Sequence, residues 1–293
     1  MRNRVILIVL CFLISSSTTI SSWAAGGAEP QVEEKLILVL SPIPVLAYVF
    51  RPLVDGPLPL VVMNHGESLD ATERSFFPLI EFRDAAFWFA RQGYVVVAPI
   101  RPGFARSALD LPERGLFGLY FGEVGTCSGA NFRDAAIAVA TIDQWVIDRM
   151  IAEKNVLPTG VIVVGQSGGG WGSMALSSLK SASIRAIIAF AAGRGGHVDG
   201  KPNNNCAPDS LVATAGEFGR TARIPMLSIY VQNDSYFGPD LSKRMIDAYQ
   251  AAGGSAEYHL LPAFGDEGHF FLHSVDAVPI WSPIVNRFLD QHR

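Results

Sequence analysis

Ser167 stands in Gly165-Gln166-Ser167-Gly168-Gly169, which fits the spacing G-x-S-x-G. A serine hydroxyl is a weak nucleophile at neutral pH and becomes reactive when a neighbouring base takes its proton. With 28 glycines in 293 residues the five-residue pattern alone says little, so its setting must carry the inference. Residues 161–164 read Val-Ile-Val-Val and run straight into the turn, and residues 168–179 leave it as a glycine- and alanine-rich helix. Strand, sharp turn and helix form the frame that projects a nucleophilic serine from strained backbone, with small residues at Gly165 and Gly169 letting strand and helix approach. Ser167 is the expected nucleophile of an acyl transfer.

The base must come from six histidines. His269 falls in the loop that follows an apolar strand at residues 256–261, in the run Gly265-Asp266-Glu267-Gly268-His269. His259 lies inside that strand, His292 near the chain end and His197 in a long loop, and these read as structural or solvated. His65 also reads as structural, and His273 is the rival to His269. A carboxylate should hold the imidazole in the tautomer that leaves one ring nitrogen free to accept a proton. Asp234, just past a strand at residues 224–231, is the expected partner, whereas Asp266 reads as a residue that caps or solvates its turn. Negative charge on the carbonyl oxygen needs two inward-facing N–H groups. Gly168 N–H supplies one and Glu67 N–H, in the loop Asn64-His65-Gly66-Glu67, supplies the other, with Gly66 N–H as the alternative.

Competing chemistry lacks its residues. The sequence holds no H-E-x-x-H, no paired C-x-x-C and no G-x-x-x-x-G-K-[ST], so neither a metal nor a cofactor is expected. Gly170-x-Gly172-x-x-Ala175 fits a dinucleotide fingerprint only formally, because it starts too late after its strand. With 23 basic against 27 acidic residues there is no positive stripe for phosphates, so nucleic acid is not an expected partner.

The elements that must position these groups alternate along the chain. Residues 36–40 and 44–50 read as two antiparallel edge strands. Residues 58–63, 94–98, 161–164, 184–190, 224–231 and 256–261 read as further strands, several of them apolar on consecutive positions, as in strands covered on both faces. Helical spacing falls at 76–92, 130–150, 168–179, 239–252 and 278–292. The pattern predicts an α/β fold: a mostly parallel eight-stranded sheet with helices on both faces and the chemistry at the strands' C-terminal ends. No repeat or low-complexity linker divides the chain, so residues 25–293 are expected to form one catalytic domain.

Arg2 and Arg4, an apolar run over residues 5–14 and Ser22-Trp23-Ala24 read as a signal peptide over residues 1–24. Export to the periplasm or beyond the cell follows, with no stable membrane insertion after cleavage, since ten apolar residues cannot span a bilayer. Cys127 and Cys206 then remain, an even pair expected to form a disulfide.

Several separate motifs together resemble the dienelactone hydrolase-like and prolyl-oligopeptidase-like branch of the α/β-hydrolase superfamily, over residues 35–291. They are Pro59-Leu60-Val61-Val62-Met63-Asn64-His65-Gly66, Gly93-Tyr94-Val95-Val96-Val97-Ala98-Pro99 with Arg101-Pro102-Gly103, the serine turn, Asn233-Asp234-Ser235, and Gly268-His269. The order Ser167, Asp234, His269 is that of α/β-hydrolases. The resemblance implies an α/β-hydrolase fold and hydrolysis of a small-molecule carboxylic ester through an acyl-enzyme, with some members cleaving peptides instead. A non-catalytic ligand-binding role is the remaining alternative. Dienelactone hydrolases proper use cysteine where this chain has Ser167, which makes dienelactone an unpromising substrate. Residues 104–129, with Phe117, Tyr120 and Phe121, are long enough to cover an acyl pocket.

Overall fold

The computed structural model describes residues 30–68, 75, 82–104, 127 and 129–293. The signal segment, the first turns expected of a helix at 76–92 and nearly all of 104–129 lie outside the described residues.

The strands are β1 (Val32–Val39), β2 (Val45–Pro52), β3 (Leu60–Asn64), β4 (Val95–Pro99), β5 (Val161–Gln166), β6 (Ile184–Phe190), β7 (Met226–Val231) and β8 (Ala256–Leu261). They form one eight-stranded sheet in the order β1-β2-β4-β3-β5-β6-β7-β8. β1, β2 and β4 pair antiparallel and every later neighbour is parallel, as the consecutive apolar runs predict. The helices are α1 (Arg83–Arg91), α2 (Phe132–Met150), α3 (Gly168–Ser177), α4 (Pro208–Thr221), α5 (Pro239–Ala251) and α6 (Val278–Gln291).

Alternate side chains of each strand enter two cores, one on each face of the sheet. Leu60, Val62, Val163, Ile187, Met226 and Tyr230 pack with residues of α2, α3, α4 and α5. Val61, Met63, Ile162, Ile188, Leu227 and Ile229 face the other way, against Phe89 of α1 and Trp281, Val285 and Phe288 of α6. Trp171, fully buried, donates its indole N–H to Phe132 O at 3.0 Å and so ties α3 to the start of α2.

Helix α4 was not foreseen. Its signals are Pro208 in the first turn, Asp209 beside it and buried Leu211, Ala215 and Phe218 at helical spacing, diluted by Gly216 and Gly219. Both glycines weaken local propensity, and Gly219 is needed for packing, because a Cβ there would overlap the Tyr249 carbonyl of α5. The Cys127–Cys206 disulfide, with its Cα atoms 5.1 Å apart, joins the approach to α2 to the approach to α4.

Candidate active site

The chain runs from β3 to β4 on one side of β3 and returns to β5 on the other, which makes the β3/β5 boundary the switch point where α/β sheets place their sites. The register aligns Asn64 with Gly165, Gln166 with Phe190, and Val231 with Leu261. The loops carrying Glu67, Ser167, Asp234 and His269 therefore leave the same edge of the sheet.

Ser167 has φ 54° and ψ −124°, a left-handed conformation that costs a non-glycine residue on the order of 1–3 kcal/mol. Three backbone hydrogen bonds hold it there. Its N–H donates to Phe190 O at 3.0 Å, and its carbonyl accepts from Trp171 N–H at 2.9 Å and Gly193 N–H at 3.2 Å. Close approach explains the glycines on either side. A Cβ on Gly165 would lie 2.5 Å from Gly169 O, and one on Gly168 would lie 2.6 Å from Cγ of Glu67. Ser167 is half-buried between buried neighbours.

Asp234 and His269 are 1% and 3% exposed and meet directly. His269 Nδ1 lies 3.1 Å from Asp234 Oδ1 and 3.2 Å from Oδ2. Asp234 Oδ1 also accepts from Tyr236 N–H at 2.8 Å and Phe237 N–H at 2.9 Å. A carboxylate only accepts, so Nδ1 is the donor, and in the neutral ring Nε2 is the nitrogen with the free lone pair. Gln166, next to the serine, donates its side-chain N–H to His269 O at 3.0 Å, which links the serine turn to the histidine loop.

The remaining histidines are elsewhere engaged. His273 packs against Phe82 and Phe270, and burial, with His269 nearby, pushes its pKa down to about 4. His259 lies 3.5 Å from Glu257 on β8, and His292 packs on Phe288. His65 accepts from Arg101 N–H at 3.2 Å through Nε2 and lies 2.8 Å from Gly66 O through Nδ1. Burial, reinforced by the Arg101 charge and opposed by Gly66 O, holds it well below the usual imidazole range, so it is a neutral structural residue.

The loop after β3 is built around Arg101, whose guanidinium donates to His65 O at 2.8 Å and Gly66 O at 2.9 Å. In a trans peptide the N–H points opposite to the C=O, so the Gly66–Glu67 peptide turns Glu67 N–H away from Arg101. The Glu67 side chain faces inward, 15% exposed. It pairs with Arg194 and lies 3.6 Å from Arg101 Nη2, two side chains 5% and 3% exposed.

Sequence reasoning missed several residues that shape this site. Gln166, Arg194, Tyr236 and Glu267 have no motif of their own, and His197 stood only as a loop histidine. Glu267 had one usable signal, its position two residues before His269 at the start of a tight turn. Its carboxylate accepts from His269 N–H at 2.8 Å and caps the 3-10 turn Gly268–His273, while Asp266 is exposed. Among the described residues no cluster of three or more His, Cys, Asp or Glu could hold a metal, and no helix is long and apolar enough to cross a membrane.

Beneath the loop, Asp143 of α2 is fully buried and accepts from Asn64 Nδ2 at 2.5 Å. Burial raises its pKa from 3.8 to about 7, although Arg101 and the Asn64 hydrogen bond act in the opposite sense. The folded chain thus keeps a proton that the unfolded chain releases near pH 4. Stability carried by this group is lost as pH rises from about 4 to about 7, at up to roughly 1.4 kcal/mol per pH unit. Asp143→Asn, which preserves the shape without the proton release, should gain in melting temperature relative to wild type between pH 5 and pH 8. Thermal melts in which the two proteins keep a constant difference across that range would contradict this.

No family model matches the sequence, and no curated protein matches it. Solved structures do. A dienelactone hydrolase from Anabaena variabilis aligns at TM-score 0.60 and 14% identity over 89% of this chain and 99% of its own. A cold-adapted esterase from an Arctic intertidal metagenomic library aligns at 0.57 and 14%, over 89% and 94%. Dipeptidyl peptidase 4 of Porphyromonas gingivalis aligns at 0.59 and 12%, over 89% of this chain and 36% of that larger one. From strand order, serine turn and these alignments together, the chain has the α/β-hydrolase fold.

Proposed function

We propose that this protein is an exported serine hydrolase of small-molecule carboxylic esters, with Ser167 as nucleophile, His269 as general base and Asp234 as the carboxylate that orients it. The observation that carries this reading is the buried Asp234–His269 pair at the same sheet edge as a strained, half-buried serine. Nε2 of His269 takes the Ser167 proton as Oγ bonds to the ester carbonyl carbon, and the carbonyl oxygen becomes an oxyanion. Gly168 N–H, at the first position of α3, and Glu67 N–H, turned away from Arg101, are the donors for that oxygen. Collapse breaks the ester C–O bond and the departing alkoxide takes the proton from Nε2. Water then repeats the sequence on the acyl-enzyme and releases the acid. The Cys127–Cys206 disulfide supports an oxidising compartment, and hence the reading of residues 1–24 as an export signal.

The test is turnover by residues 25–293 of p-nitrophenyl esters of increasing acyl length beside aminoacyl anilides. Ester cleavage should dominate and fall off at the chain length that fills the pocket. Anilides cleaved as fast as esters would make the protein a peptidase, and a folded protein silent on both would make it a binding protein.

A further inference from the structure

The ring of His269 is held by more than its hydrogen bond. Its Nδ1 sits almost equally far from both Asp234 oxygens, 3.1 and 3.2 Å, beyond the 2.7–2.9 Å of a strong charge-assisted bond. Such a fork tolerates rotation of the imidazole. Tyr236 is stacked on His269 with centroids 4.1 Å apart and planes 21° from parallel, and Phe237 and Phe270 meet the same ring at an angle, at 5.6 Å and 57° and at 5.3 Å and 78°. On Tyr236 in turn lies His197, at 3.8 Å and 6°.

His197 is itself locked. Its Nε2 is 2.6 Å from Ser235 Oγ, and that hydroxyl donates to Glu267 Oε2. The carboxylate can only accept, so the serine's single hydrogen goes to Glu267 and His197 Nε2 must be the donor to Ser235. The other oxygen of Glu267 accepts the backbone N–H of both Ser235, at 3.1 Å, and His269, at 2.8 Å. One carboxylate thus staples the loop bearing Asp234 to the loop bearing His269 and anchors the outer ring of the stack. His197 also has φ 58°, a left-handed conformation unusual for a non-glycine residue, and one maintained only where the surroundings over-determine it. The loop that carries it is tied down, since Asn203 N–H donates to Ser235 O at 2.6 Å and Asn205 Nδ2 to Tyr236 O at 2.5 Å.

We propose that His197 is a positioning residue of the hydrolytic reaction: held by the Ser235–Glu267 chain, it presses Tyr236 flat against His269 and keeps Nε2 aimed at Ser167. The inference rests on the triad assignment above, so the experiment reads the two apart. An alkyl fluorophosphonate reports on Ser167 whatever the natural substrate is. Oγ bonds to phosphorus, fluoride leaves, and the hydroxyl proton passes to His269. Wild type, His197→Ala, His197→Phe, Tyr236→Ala and the His197→Ala/Tyr236→Ala double variant are compared by labelling rate, by kcat and KM on a p-nitrophenyl ester, and by melting temperature.

Misaiming the base should slow labelling and kcat by about 10- to 100-fold in His197→Ala, with KM within about twofold. His197→Phe, which keeps a flat ring but cannot donate to Ser235, should recover only part of the loss. In the Tyr236→Ala background the loss of His197 should have no further effect, because the two act along one path. Wild-type labelling rates in folded His197→Ala, a Phe variant as fast as wild type, or additive effects would each overturn the positioning role as stated while leaving the triad standing. Failure of wild type to label at Ser167 would remove the triad reading and this inference with it.

Discussion

Ser167→Ala should lower ester turnover by at least about a thousandfold while the protein folds as before. The substitution deletes only Oγ. The backbone bonds that hold residue 167 in its left-handed conformation, from Gly193 and Trp171 and to Phe190, involve no side-chain atom and remain. Alanine and serine bear the same conformational cost at φ 54°, so the melting temperature should move by no more than about a degree or two. The backbone N–H groups of Gly168 and Glu67, the proposed oxyanion donors, also remain, so residual catalysis above the water reaction is expected. The measurement is kcat on a p-nitrophenyl ester with fluorophosphonate labelling beside it, using protein shown by mass spectrometry to carry no wild-type contaminant. Retained turnover in such a preparation would exclude Ser167 as the nucleophile. A collapse in melting temperature would instead show that the hydroxyl supports the turn.

Much of the fold was legible because burial leaves a period in the sequence. Short runs of β-branched residues on consecutive positions at residues 161–164 and 95–97 suit strands covered on both faces, and the strands are found there. Strand boundaries moved by a residue or two, and by four at the start of β1, which pairs with β2 from Val32 on, where pairing rather than hydrophobicity decides the end. Leu58, expected inside a strand, forms an isolated bridge with Val156, and β3 runs on to Asn64, which pairs with Gly165. Helix α4 was hidden because Gly216 and Gly219 blur the helical period, Gly219 so that α5 can approach.

The residues expected at the site divide in the same way. Ser167 and His269 could be picked out because each follows a strand at the sheet's C-terminal edge, and Asp234 and His269 do meet. Glu67 was singled out for its backbone N–H alone. Its side chain proves equally consequential, since it is the shared carboxylate of two buried arginines, Arg101 and Arg194. Arg194 is 127 residues away along the chain, and no local pattern joins them. The stack of His197, Tyr236 and His269 escaped for the same reason. It is assembled from the loops after β6, β7 and β8, and only the sheet order brings those loops together.

Asp234→Asn should be nearly as damaging to turnover as loss of the serine, and it tests a different part of the mechanism. Oδ1 accepts the N–H groups of Tyr236 and Phe237 as well as His269 Nδ1–H, so an asparagine should keep its oxygen in that place. Its NH2 then takes the position of Oδ2, 3.2 Å from Nδ1. An NH2 donor facing Nδ1–H repels it, although the oxygen at the Oδ1 position could still accept, so the balance shifts toward the tautomer in which Nδ1 accepts and Nε2 carries the hydrogen. In that form Nε2 has no lone pair for the Ser167 proton. Turnover should fall by about 10³- to 10⁴-fold at neutral pH. Because the loop's backbone N–H groups keep their acceptor, circular dichroism and the melting temperature should change little. Raising the pH should restore part of the rate, since hydroxide can take the serine proton when the histidine cannot. A folded Asp234→Asn protein within tenfold of wild type at pH 7 would mean that this carboxylate does not set the tautomer of His269.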